Sequence, residues 1–127
     1  MLTLDDARRI AAAAEAEAVS HQWSVVIAVC DDGGHLLLLH RLDGVAPISS
    51  AIAPAKARAA ALGKRETRLY EDAINQGRTA FLSAPLDGML EGGVPIIADG
   101  HVVGAIGVSG LKPAEDSLVA KAGVSAL

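Results

Sequence analysis

Apolar residues recur at two different spacings along the chain, and the switches between them mark its elements. In TLDDARRIAAAAEAEAVS, Leu4, Ala7, Ala11, Ala14 and Ala18 fall on one helical stripe, with Ile10 beside it. Thr3 followed by Asp6 predicts a capping box, and Asp5 and Asp6 suit the positive end of the helix dipole. SVVIAVCD then reads as a buried strand, DDGG as a turn and HLLLLHRLD as the returning strand. After a loop over 44–48, SSAIAPAKARAAALG predicts a second helix, capped by Ser49 or Ser50 and stopped at Gly63. Pro54 fits that helix only if it lies in the first turn.

Thr67 is expected to cap a shorter helix ending at Gly77, and residues 78–93 read as irregular. VPIIAD and HVVGAIGVSG predict a second hairpin turning at Asp99-Gly100, with Pro95 pointing to an edge strand. PAEDSLVAKAG closes the chain as a helix opening on Pro113. The order α-β-β-α-α-β-β-α, with tight turns joining neighbouring strands, predicts an α+β domain spanning residues 1–127 around an antiparallel sheet.

The glycines of the second hairpin do not match a nucleotide-binding loop. Gly104, Gly107 and Gly110 are three apart and lie largely inside a strand pattern, without the strand-to-helix turn of a dinucleotide fingerprint. A Gly-Lys-Ser/Thr ending is missing, and GVSGL does not have the spacing of a serine nucleophile elbow. Strand parity instead places Val103, Ala105, Gly107 and Ser109 on one small face. Close packing of a helix is the simpler explanation; a floor for a flat or small ligand is the functional one.

Composition narrows the classes. The 127 residues are 51% hydrophobic but include one Trp, one Tyr and one Phe, so Ala, Val, Leu and Ile must build the core. A formal charge of −4 without a basic run, and the shortage of aromatics, argue against nucleic acid. Apolar runs are too short to span a membrane, and MLTLDDARRI lacks the pattern of a secretory signal. The lone Cys30 permits no intrachain disulfide. A cytoplasmic protein is expected.

The candidate chemistry is sparse. If Asp32-Gly33 forms a two-residue turn, Cys30 and His35 face each other within about 5.5 Å at the backbone, as a pair able to hold haem iron or a soft metal. The competing reading is a buried thiol beside a turn histidine. His40 falls on the opposite face. Arg41 and Lys56, near strand ends, are candidate anchors for a carboxylate, or else members of ordinary ion pairs. No nucleophile or general base stands out, and no catalytic residue is assigned.

The segments AVCDDGGHLLLLHRLDG, AKARAAALG, GGVPIIADGHVVGAIGVSG and PAEDSLVAKAG run in order through nearly the whole chain. In them the sequence resembles the GlcG/HbpS-like domains, also found as the C-terminal domain of PduO-type proteins and described as haem-binding or haem-degrading. The resemblance implies a profilin-like α+β sandwich. It also implies homodimers that assemble to tetramers or octamers, and haem or another small molecule as ligand. Cys30, His35, His40 and His21 are the available iron ligands, and Gly93, Gly107 and Ser109 belong to the signature hairpin. The Glu-x-x-Glu iron pattern of one branch is missing, and Lys112 replaces the usual capping residue before Pro113. The expected function is an oligomeric small-molecule or haem binder without catalysis. The alternative is an enzyme or accessory subunit for a small carboxylic or hydroxy acid, or a diol-derived metabolite.

Overall fold

Thr3 and Asp6 form the capping box read from their spacing: the Asp6 amide donates to Thr3 Oγ1 and the Thr3 amide to Asp6 Oδ2. This starts α1, Leu4–Ser20, in a computed structural model that describes residues 1–127. The first hairpin follows as β1, Val26–Asp31, and β2, Leu36–Arg41. Then come α2, Ser49–Gly63, and α3, Arg68–Asn75. A short 3-10 turn, Thr79–Ser83, interrupts the stretch expected to be irregular. The second hairpin is β3, Gly93–Ala98, and β4, His101–Ser109, before α4, Pro113–Val124.

The four strands form one antiparallel sheet in the order β2-β1-β4-β3. Pro95 does lie in an edge strand, where a missing amide donor costs least. On one face, Ile27, Val29, Val94, Ile96, Ile106 and Val108 meet the alanine stripe and Ile10 of α1, together with Val119 and Ala120 of α4. Alanine lets α1 approach closely, so a core with few aromatics still closes. The other face carries α2, over Val26, Ala28, Cys30 and Ala105. Both faces of the sheet are therefore covered by the chain's own helices.

The two hairpins turn differently. Asp99 and Gly100 both have positive φ, 51° and 77°, as a two-residue turn compatible with strand twist requires. In the first hairpin the Asp31 amide donates to His35 O, which leaves three residues, Asp32, Gly33 and Gly34, in the loop. Gly34 takes φ +80° and supplies the left-handed residue that such a loop needs. The register is thereby displaced: Cys30 stands opposite Leu36, not His35. An irregularity beyond Cys30 restores the parity, so His40 pairs with Ile27 on the face away from Cys30, as expected.

Three local expectations are corrected. Neither Ser49 nor Ser50 caps α2; the position before the helix is Ile48, and Ser49 is buried within the first turn. Pro54 lies inside α2, beyond that turn. It removes one helical donor, and packing across the sheet holds the helix through the gap. Thr67 precedes α3 but gives it no side-chain cap. Its hydroxyl instead accepts from the Gly93 amide at 2.8 Å and donates to Leu90 O, tying α3 to the start of β3.

Candidate functional site

The glycine face of β4 is occupied by α2. A methyl group on Gly107 would stand 2.1 Å from Ala53 O and 2.6 Å from Ala57 N, and one on Gly93 would stand 2.4 Å from Lys56 O. Gly93 and Gly107 pair across β3 and β4, so together they form a shallow bed for the helix backbone. A flat ligand has no room there within one chain.

The register shift separates Cys30 from His35. Cys30 is buried among Ala57, Ala60, Ala61 and Ala105. Burial pushes its thiol up to about 12, so the neutral form persists at physiological pH. The His35 side chain is 81% exposed, with Nδ1 3.4 Å from Asp31 Oδ1. The same carboxylate accepts from the Gly33 and His35 amides at 2.9 Å, which holds it below the usual carboxylate range. His40 lies on the other face with Nδ1 3.4 Å from Glu15. His21 follows α1, stacked on Trp23 and 3.5 Å from Glu17. Arg41 is exposed at the end of β2. These five residues do not converge on one point.

Lys56 and Ser109 do meet, at the opposite end of the sheet from the hairpin turns. Lys56 Nζ donates to Val108 O at 2.8 Å and to Asp116 Oδ2 at 3.1 Å. Both charged side chains are only 4% exposed. Asp116 Oδ1 accepts from the Leu111 amide at 3.0 Å, which turns the chain into α4. Burial pushes the Asp116 carboxyl up to about 6, outweighing the nearby ammonium and both hydrogen bonds. Beside this pair, Ser109 Oγ lies 3.1 Å from Ser49 Oγ. A cavity of about 300 Å³ opens over Ser49, Lys56, Ser109 and Asp116, with Glu71 and Glu91 also in its wall.

A larger cleft, about 730 Å³, lies at the hairpin end. Leu2, Ala61, Val102 and Val103 contribute apolar wall, His101 an imidazole and Lys64 an ammonium. Asp32 and Asp99, from the two turns, stand in the same lining. Local pattern gave His101 only as an exposed residue after a turn and Ser49 only as a helix cap, and it did not single out Lys64 or Asp116. For His101 a signal existed: a histidine directly after a two-residue turn must stand at the sheet end. For Lys56 and Asp116 none did, because sixty residues separate them.

No helix of the protein is long and apolar enough to cross a membrane. Comparison with known proteins agrees with the fold. The chain is 56% identical over 109 residues to Protein GlcG of Escherichia coli (strain K12), covering 86% of this chain and 81% of that protein. The structure of a double mutant of HbpS from Streptomyces reticuli superposes with a TM-score of 0.89 at 33% identity, over 99% of this chain and 86% of the other. A PduOC–haem complex superposes at 0.88 with 26% identity, over 99% and 94%. The model of the family described as "Haem degrading protein HbpS-like" matches residues 2–125, and the chain belongs to that family.

Proposed function

We propose that the protein is a homo-oligomeric small-molecule binder whose ligand is haem or a related tetrapyrrole, with no chemistry of its own. The observation that carries this reading is the cleft between the two hairpin turns. It alone combines apolar wall, an imidazole and a cation in a volume suited to a small-molecule ligand. The fold shared with the PduOC–haem complex supports it. His101 would face the iron, Leu2, Val102 and Val103 the macrocycle, and Lys64 a propionate. Haem would supply whatever redox chemistry follows; the chain's part is to hold and orient it. His35, exposed just before β2, and His40, half-buried within it, are the alternative ligands, while Cys30 stays a buried neutral thiol.

Haemin titration tests the reading. Saturable binding with a red-shifted Soret band is expected, and His101→Ala should alter that band more than His35→Ala or His40→Ala. Failure to saturate at micromolar protein removes the haem assignment. Oligomerisation is supported by apolar side chains left exposed on edge strands and helices, including Leu36, Ile97 and Val19. Sedimentation should report a species larger than one chain. The alternative, a small acid anchored by Lys56, is not favoured, because Asp116 already neutralises that ammonium.

A further inference from the structure

The cavity at the start of α2 contains buried donors that the protein itself leaves unused. An ammonium has three N–H donors. Lys56 directs two of them at Val108 O and Asp116 Oδ2, and the third has no protein acceptor. The hydrogen bond between Ser109 and Ser49 uses one hydroxyl hydrogen and leaves the other without an acceptor. Lys56, Ser49 and Ser109 are each no more than 5% exposed and all line the cavity. Buried donors without partners cost free energy, so an acceptor oxygen brought into the cavity would recover it.

The charge of the lining then selects among oxygen-bearing molecules. Lys56 and Asp116 cancel. Glu71 and Glu91 remain, and neither takes part in an ion pair. An incoming carboxylate would meet two uncompensated negative charges and the Asp116 oxygen. A small cation would meet the reverse. Buried ion pairs are also weak contributors to stability, because desolvation offsets their attraction. A ligand-binding role accounts for such a pair in a cavity wall better than a purely structural one.

We propose that this cavity, distinct from the cleft at the hairpin end, binds a small amine carrying a hydroxyl or carbonyl oxygen. The oxygen accepts from Lys56 and the serine hydroxyl. The ammonium lies toward Glu71 and Glu91. The two sites are at opposite ends of α2 and β4, so the second does not depend on haem binding at the first.

The test uses the full chain labelled with nitrogen-15 and three probes of similar size: ethanolamine, ethylene glycol and glycolate. Ethanolamine should move the amide signals of Ser49, Ser109, Gly110 and Leu111 saturably, with or without haemin. Ethylene glycol should bind more weakly, and glycolate should leave these signals unchanged. The Glu71→Gln/Glu91→Gln double variant keeps side-chain size and leaves the Lys56–Asp116 pair intact; it should melt like the parent and weaken ethanolamine about tenfold. Glycolate or ethylene glycol binding as well as ethanolamine would overturn the proposal. So would an unsaturable response to ethanolamine, or unchanged affinity in the double variant.

Discussion

Lys56 Nζ and Asp116 Oδ2 are 3.1 Å apart, join α2 to α4 across the end of β4, and are almost wholly out of water. The pair costs desolvation energy that its attraction barely repays, yet losing one member is worse than losing both. Lys56→Met should therefore destabilise the protein by about 3–5 kcal/mol, from the uncompensated carboxyl left behind. Lys56→Met combined with Asp116→Leu should recover much of that loss. Urea denaturation of both variants checks the difference, and equal midpoints would contradict it.

The same carboxyl makes stability depend on pH. Its folded pKa, about 6, lies above the ordinary value of 3.8, so the folded state holds this proton more tightly. The sign is then set: Asp116 favours folding most below about pH 4, and that contribution is lost as pH rises toward and through 6. Asp116→Asn should remove this component of the slope. The check is a series of denaturation midpoints at constant ionic strength, comparing parent and variant between pH 4 and 7.

Gly107 is demanded by a neighbour, and Gly100 by its own backbone. Gly107→Ala would drive a methyl into the Ala53 carbonyl and the Ala57 amide of α2, at a cost of about 3 kcal/mol or misfolding. Gly100→Ala meets no neighbour within 4 Å and pays only for its φ of +77°, roughly 1 kcal/mol. Thermal melts of the two variants should separate by that difference.

Cys30 should behave as a core residue. Thiol reagents should label it slowly in native protein and rapidly in urea. Because the folded thiol is pushed to about 12 from 9.0, its ionisation favours the unfolded chain. Its stabilising contribution is full below about pH 9 and is lost as pH rises from there toward 12. Fast labelling of native protein at neutral pH would show that the alanine-lined packing around it opens readily.

The family was legible from four segments, and most element bounds from local chemistry. Thr3 and Asp6 are three residues apart, so their capping box needs no tertiary contact. Asp99-Gly100 likewise dictates its own turn. The first hairpin shows the limit. DDGG contains two glycines, and alternation alone does not say which takes the left-handed position. Gly34 does, and the one-residue difference separated Cys30 from His35. Ser49 and Thr67 looked like helix caps from position alone, but longer-range partners, Ser109, Leu90 and Gly93, claimed their hydroxyls.

The linear sequence by itself determined the helices, the second hairpin and the small face of β4, because these follow from spacing within a few residues. Only the tertiary structure decided that α2 covers that face, that Lys56 is neutralised by Asp116, and that His101 and Lys64 share a cleft. Those facts depend on contacts between residues tens of positions apart. Such contacts are set by how the helices pack on the sheet, which no local pattern records.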